Sequence, residues 1–198
     1  MKKIVIPILC ALCCCSCTPL ARVLYGVKQP AVESPETIVA FNKSMGFTNA
    51  PVYALKPDAW SLKPSVEILD VYVFDKEGRF IPYKDPSKPN CSGPAELFLS
   101  YLDKQTTYLT GDEWTLNSFY ALLQSLDCKA VAPAHQSDVD FYVFFTTAKF
   151  AGRKLQQKKT VVWMDSLQQN HSVKVETILV NMDFQKCWSK EQLEAVGK

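Results

Sequence analysis

Cysteines are the residues of this chain most able to do covalent chemistry, because a thiolate is both a nucleophile and a metal ligand. Eight cysteines occur among the 198 residues, and five of them lie at or before residue 17. The three adjacent cysteines at 13–15 lack the spacers that let four thiolates converge on one zinc ion. The sequence therefore predicts no metal site there. The cysteines of the remaining chain are Cys91, Cys128 and Cys187.

Cys91 is the candidate for a reactive thiol, because it lies directly before a predicted helix start in the segment NCSGP at 90–94. A helix N-terminus lowers the pKa of a nearby thiol. No second cysteine lies close by in sequence to resolve a mixed disulfide, so a structural role is the alternative for this residue. All three late cysteines are expected to be small buried side chains. Their odd number leaves at least one thiol unpaired, and their spacing does not say which pair could bridge.

A second group with potential chemistry is a run of cations at another predicted helix start. Five basic residues occur here without an intervening acidic residue: Lys149, Arg153, Lys154, Lys158 and Lys159. Free helix N–H groups and cations together can bind a phosphate or a carboxylate. The first three are therefore candidate anion-binding residues. The alternative, which we favour, is a solvated helix face.

Metal and cofactor chemistry find little support in the sequence. A metal site formed by His135, Asp138 and Asp140 would have few ligands, namely two carboxylates on one strand face and one histidine from a loop. His171 stands apart in a predicted loop. The chain contains no Ser-His-Asp arrangement, phosphate-binding loop or dinucleotide fingerprint. We therefore assign no catalytic residue and expect neither a bound metal nor a cofactor.

The first sixteen residues have the parts of an export signal. A lysine pair follows Met1, and residues 4–15 form an apolar stretch that is shorter than the roughly 20 residues needed to span a bilayer. Ser16 then precedes Cys17. This ending resembles the lipobox of bacterial lipoproteins, in the loose form seen in the Bacteroidetes, since Cys14 stands where leucine is usual. The resemblance implies cleavage before Cys17, its acylation with palmitate, and attachment to a cell-envelope membrane facing the periplasm or the cell surface. An ordinary secretory signal is the alternative.

Composition limits the mature part to a neutral globular domain. Removal of residues 1–16 leaves 182 of the 198 residues, enough for one domain at 35–198 behind a tether at 17–34. Two of the 22 basic residues leave with the signal, so the formal charge falls from +2 to 0 against 20 acidic residues. A neutral domain has no net field to attract nucleic acid or anionic lipid over distance. The expected partners are the membrane, through the lipid, and an envelope protein, but no nucleic acid.

Apolar periodicity predicts a single α/β domain in which strands alternate with helices. Ser34 and Pro35 predict a helix start followed by a periodic segment at 37–45. The turn DKEG at 75–78 predicts a hairpin, and Pro82 predicts that its returning strand lies at or near a sheet edge. Strands are predicted at 52–55, 66–74, 79–83, 138–145 and 173–180. Helices are predicted to open at Ser92 and to span roughly 115–126, 151–169 and 189–196.

Two stretches resemble the thioredoxin-like superfamily, above all its exported thiol–disulfide oxidoreductases and peroxiredoxin-like proteins. Residues 144–154 and 180–183 resemble the family's buried strand, its Cys-x-x-Cys helix start, and a later strand ending in Val-Asn-x-Asp. Residues 35–104 resemble its C-terminal half, where a hairpin with an Asp-Lys-x-Gly turn recurs. The two halves stand in the opposite order. The resemblance therefore implies a circularly permuted thioredoxin-like domain, with a central mixed sheet flanked by helices and with residues 105–137 as the bridge.

The family's redox residues are absent from the matching positions. Ala151 and Lys154 stand where the two cysteines should be, and neither can form a thiolate or resolve a disulfide. We interpret the chain as a lipid-anchored, redox-silent binding or interaction module without enzymatic activity. The alternative is an enzyme, a divergent thiol oxidoreductase or peroxidase that uses Cys91 or Cys187. A purely structural envelope subunit is a third interpretation.

Overall fold

The computed structural model describes residues 22–62, 65–84, 93–133 and 138–197. Strands β1 to β9 span Val32–Glu33, Val52–Leu55, Val71–Asp75, Arg79–Ile81, Gly111–Thr115, Leu123–Gln124, Phe141–Thr147, Val175–Asn181 and Phe184–Gln185. Helices α1 to α6 span Pro35–Ser44, Gly93–Ser100, Leu116–Ala121, Arg153–Gln156, Val162–Gln169 and Lys190–Ala195. Short 3-10 helices lie at Asp58–Ser61 and Lys149–Ala151, and a π-helical segment at Gln157–Val161 joins α4 to α5. This mixture confirms the predicted α/β class.

The core of the domain is a mixed sheet of seven strands in the order β5-β4-β3-β7-β8-β2-β6. The three strands β7, β8 and β2 run parallel. β3 and β6 flank them in the antiparallel direction, and β4 and β5 extend the sheet beyond β3. Neighbouring parallel strands need a crossover connection, which α4 and α5 provide between β7 and β8. β1 and β9 form a separate parallel pair.

Strand β7 is buried along its whole length, because helices cover both faces of the sheet. On one face Phe144 packs against Phe74 and Phe119, with ring centroids 5.6 and 4.9 Å apart, and Phe119 belongs to α3. Helices α2 and α5 cover the other face. The side chains packed together there include Leu99, Phe141, Val143, Phe145, Trp163 and Leu167. Two buried faces explain why the sequence of this strand is continuously apolar rather than alternating.

Capping side chains set the start of the first and last helices where the sequence predicts them. Ser34 accepts a hydrogen bond from the backbone N–H of Thr37 and so caps α1, with Pro35 in the first turn. Ser189 and Gln192 form a reciprocal capping box at the start of α6. These helix starts follow from local side-chain chemistry alone.

The long helix predicted over 151–169 begins two residues late and is interrupted. Gly152, with a φ of +85°, precedes the first residue of α4, so Ala151 belongs to a separate 3-10 turn. The π-helical segment then adds a residue to one turn before α5 begins. Polar Gln156 and Thr160 are fully buried along this stretch. Trp163, which follows the π-helical segment, is buried in the core on the α2 and α5 face of the sheet.

The prediction that the strand of Pro82 lies at or near a sheet edge is confirmed, because β4 is the second strand from one edge of the sheet. β4 lies between β3 and β5, and Pro82 follows its last residue, so the missing N–H is outside the ladder. The sequence does not reveal β5, because its residues are exposed or half-exposed and lack apolar alternation. The strand predicted from residue 66 begins only at Val71. The helix predicted over 115–126 ends at Ala121, where the chain turns into β6 to pair with β2.

A disulfide joins Cys128 to Cys187, with their Cα atoms 6.0 Å apart. Cys187 is exposed and Cys128 is half-buried, so the expectation that both are buried apolar side chains is wrong. The bridge spans 59 residues and ties the segment after β6 to the turn before α6. Pairing at this separation depends on the tertiary fold, which brings the two segments together.

Reduction of the Cys128–Cys187 bridge, which spans 59 residues, is expected to lower the free energy of unfolding by about 4 kcal/mol. The reason is the chain entropy that a loop of this length regains in the unfolded state. Urea denaturation with and without reductant measures the change. The Cys128→Ser/Cys187→Ser double variant is the control, since its stability should not respond to reductant.

A tryptic digest under non-reducing conditions tests the pairing itself. Cleavage sites in the sequence place Cys128 in peptide 105–129 and Cys187 in peptide 187–190, and the two should be recovered as one cross-linked species. Separate recovery of both peptides would contradict the pairing.

Candidate functional site

The carboxyl ends of β7 and β8 form the edge of the sheet at which parallel α/β sheets bind their ligands. Buried polar residues follow the end of β8. Asn181, Asp183 and Gln185 are at most 1% exposed. The Asn181 Nδ2 donates to the Asp183 carboxylate at 2.8 Å, and the Gln185 Nε2 donates to the Asn181 Oδ1 at 2.9 Å. Burial of polar groups is costly without such bonds, and here they hold together the chain segment that leaves β8.

Asp183 also holds the turn that follows β7. Its carboxylate accepts hydrogen bonds from the backbone N–H groups of Lys149 and Phe150, at 2.8 and 3.3 Å. Burial raises the pKa of the Asp183 carboxyl above its usual value, although these hydrogen bonds oppose the shift. The carboxylate therefore acts as a structural acceptor that fixes the 3-10 turn against the end of β8.

Residues 22–33, which we call the strap, cross in front of this turn. The backbone N–H of Lys28 donates to the Phe150 carbonyl at 2.7 Å, and that of Lys186 donates to the Glu33 carbonyl at 2.9 Å. The Lys149 ammonium pairs with the Glu33 carboxylate at 2.5 Å. The sequence predicts a tether over 17–34, but residues 22–33 of that range lie against the domain. The β1–β9 pairing and this ion pair hold them there.

Gly152 allows the strap to approach the helix start closely. A Cβ at this position would lie 2.2 Å from the Tyr25 carbonyl oxygen and 2.8 Å from the Gly26 carbonyl carbon. Its φ of +85° also favours glycine. The segment that resembles a Cys-x-x-Cys helix start therefore lies against the backbone of the strap. Ala151 beside it is 6% exposed.

A cavity with a volume of about 490 Å³ lies between the strap and the start of α4. It has an apolar wall and a cationic rim, and Glu33 contributes a carboxylate. The lining residues that matter for binding are Val23, Tyr25, Lys28, Glu33, Lys149 and Lys154. Among the cavity-lining residues in the described part of the chain there is no cysteine. The cavity suits non-covalent binding better than thiol chemistry.

The structure brings all three predicted anion-binding residues to this cavity but engages two of them elsewhere. Lys149 is paired with Glu33, and the Arg153 guanidinium donates to the Ser44 carbonyl at 2.6 Å. Lys154 is exposed, and no described carboxylate lies within ion-pair distance of it. Lys149 and Arg153 therefore connect parts of the fold, and Lys154 is the cation with most freedom to meet a ligand.

Sequence reasoning missed a second buried carboxylate, Asp70, beside the end of β7. Asp70 is 5% exposed, and its backbone N–H donates to the Thr146 Oγ1 at 2.7 Å. Its carboxylate accepts hydrogen bonds from the Tyr83 hydroxyl and from the Lys84 ammonium. Burial alone would lower the pKa of Lys84, but hydrogen bonds to Asp70 and Glu67 outweigh it and raise the pKa. Because Thr146 lies 76 residues away in sequence, no local motif marks the cluster.

The other predicted site residues do not converge. Those that lie outside the described residues are Cys17, Cys91 and His135. Lys174 engages both remaining acidic candidates: its ammonium lies 3.6 Å from the Asp138 carboxylate, and its backbone N–H donates to Asp140 at 2.8 Å. Across residues 22–62, 65–84, 93–133 and 138–197, no group of three or more His, Cys, Asp or Glu side chains is placed to hold a metal ion.

No known protein family, curated protein or solved structure matches this chain. Within the ranges that the structure describes, none of the helices has the length and apolarity required to cross a bilayer.

Gly152→Ala is expected to displace the strap, because the new Cβ would collide with the carbonyl of Tyr25. Clash and strain at positive φ cost about 1–3 kcal/mol, so trypsin should cleave after Lys28 about tenfold faster. Gly46→Ala is the matched control: its φ is +89° but nothing lies within 4 Å of its new Cβ. Equal acceleration in both variants would contradict the close approach of the strap.

Asp183→Ala is expected to lower the free energy of unfolding by about 2 kcal/mol or more, because buried donors at Lys149, Phe150 and Asn181 lose their acceptor. The pKa of the Asp183 carboxyl is higher in the folded than in the unfolded state. The protonated carboxyl therefore adds to the free energy of unfolding at a pH below the unfolded pKa, and this contribution is lost as pH rises through the folded pKa. The difference between wild type and variant should therefore shrink from acid to neutral pH. Urea denaturation across this range measures it, with exposed Asp138→Ala as control. A constant difference would contradict the raised pKa.

Proposed function

We propose that this chain is a lipid-anchored protein of the bacterial cell envelope whose thioredoxin-like domain is redox-silent and serves as a binding or interaction module. One observation carries the proposal. Ala151 and Lys154 stand where the family resemblance implies the two cysteines, and the backbone of the strap packs against Gly152 between them. A cavity with a cationic rim lies there instead. The ligand or partner is expected to contact the strap and this rim.

The strand order supports the thioredoxin-like and permuted interpretation. Strands β3 and β4 come from the stretch that resembles the family's C-terminal half, and β7, α4, α5 and β8 come from the other stretch. β3 pairs with β7 along its whole length, from Val71 to Asp75. Helices α2 and α5 pack on the same face, and the Asn170 Nδ2 at the end of α5 donates to the Leu102 carbonyl at 2.7 Å. If the two stretches are halves of one thioredoxin-like domain, they have to share a sheet and a core in this way, whichever half comes first in the sequence.

The disulfide supports export and argues against a thiol enzyme at Cys187. Disulfides form and persist in oxidising compartments such as the periplasm and the cell surface, which is where the lipobox resemblance directs the chain. Cys187 is bonded to Cys128, which lies 59 residues away in sequence, and so has no neighbouring cysteine of the Cys-x-x-Cys type. Cys91 is therefore the thiol that the enzymatic alternative would have to use, and an activity assay has to include a Cys91 variant.

The purified protein is expected to show no catalysis of insulin reduction by dithiothreitol and no thiol-dependent reduction of hydrogen peroxide. The reason is that neither Ala151 nor Lys154 can supply a thiolate. Wild type, Cys91→Ser and Cys128→Ser/Cys187→Ser proteins should all match the uncatalysed rate. A wild-type rate that either variant abolishes would overturn the redox-silent proposal and favour the oxidoreductase or peroxidase.

A further inference from the structure

The strap and the start of α4 together form a basic face. Its cations are Arg22, Lys28, Arg153, Lys154 and Lys158. Two contacts join the strap to the helix region: the Lys28 N–H donates to the Phe150 carbonyl, and the Lys158 ammonium lies 5.3 Å from the centroid of the Tyr25 ring. In the described part of the chain, no carboxylate lies within ion-pair distance of any of the five cations. Their charge is therefore available to a partner.

Exposed apolar side chains lie directly beside these cations. Val23 is 79% exposed and Leu24 is 50% exposed, and Val23 also lines the cavity. A single exposed apolar side chain is ordinary on a protein surface. Here two adjacent ones lie in the helical segment at 22–25, next to basic residues, and helical segments of this composition bind at lipid headgroups.

The number of residues between Cys17 and the strap limits the distance of this face from a lipid anchor at Cys17. Four residues, 18–21, separate Cys17 from Arg22. Five residue steps of extended chain reach at most about 18 Å. With the acyl chains on Cys17, as the proposed function requires, Arg22 stays within that distance of the bilayer surface, and the rest of the basic face is held beside the strap that begins there.

We propose that the basic face docks on an anionic bilayer surface, with Val23 and Leu24 among the headgroups and the cations against lipid phosphates. This deepens the proposed function, on which it rests, by naming the partner of the strap and the cavity rim. Charge supports the orientation. At the opposite edge of the sheet, at the amino end of β7, the Arg79 and Lys174 cations pair with Asp75 and Asp138, so they are less available to an anionic surface than the unpaired cations of the basic face.

Hydrogen exchange on the anchored protein tests the docking. The protein is purified from membranes and reconstituted in phosphatidylcholine vesicles with or without about 30 mol % phosphatidylglycerol. Amides in 22–33 and 150–158 should exchange at least about fivefold more slowly on the anionic vesicles, because each docked cation shifts the docked population by about that factor. High salt should remove the protection. Peptides from 104–115 should not change.

Paired charge reversals give the matched comparison. Lys154→Glu/Lys158→Glu should lower the docked population at least about 25-fold and abolish the protection. Lys104→Glu/Lys174→Glu reverses two cations near the opposite edge of the sheet, where Lys104 lines a pocket with Asp140, and should keep the protection. Val23→Gln/Leu24→Gln should weaken protection on anionic vesicles while leaving its salt dependence in place.

The outcomes separate the docking surface from the anchor. Protection that is equal on both vesicle types, or unaffected by Lys154→Glu/Lys158→Glu, overturns the docking and leaves an acidic protein as the occupant of this face. The mass of the N-terminal peptide reports acylation of Cys17 independently. Acylated protein without protection refutes the docking and keeps the anchor. Protein without acyl chains that is still protected on anionic vesicles refutes the anchor and keeps the docking.

Discussion

A strand with apolar side chains on both sides is stable only under two layers of cover, and β7 is such a strand. It lies at the centre of the seven-stranded sheet, and its neighbours on both sides take their register from it. Helix α3 covers one face, and α2 and α5 cover the other. The layered arrangement of the domain follows from the need to bury this one strand completely.

Complete burial creates a difficulty where β7 ends, because the backbone leaves the core with polar groups that need partners. Asp183 supplies an acceptor for two of these N–H groups, and the raised pKa of its carboxyl shows the cost of placing a charge there. Asn181 and Gln185 complete the network. Asp70 directly precedes β3, the antiparallel neighbour of β7, and its backbone N–H donates to the Thr146 side chain near the end of β7. Two buried carboxylates thus stabilise the chain at the sheet edge most suited to ligands.

The strap connects this edge to the N-terminus. β1 pairs with β9, Glu33 pairs with Lys149, and Gly152 admits the strap backbone next to the helix start. Four residues of sequence separate Cys17 from the first residue of the strap. In the proposed function the anchor and the binding surface are one continuous region. No cysteine lies at 151–154, where the strap backbone packs against Gly152.

Short-range patterns in the sequence were enough to determine the α/β class, the cap of α1 by Ser34 and the buried run of β7, and the sequence shows directly that positions 151 and 154 are not cysteines. Each depends on side chains a few residues apart, whose propensities and periodicity act locally. Only the tertiary structure decided the Cys128–Cys187 pairing, the addition of β5 outside β4, the packing of the strap and the Asp70 and Asp183 networks. The residues that meet in these features are separated by tens of positions in sequence, so no local spacing predicts their contacts. The contacts form because the fold around the buried strand β7 brings distant segments of the chain together.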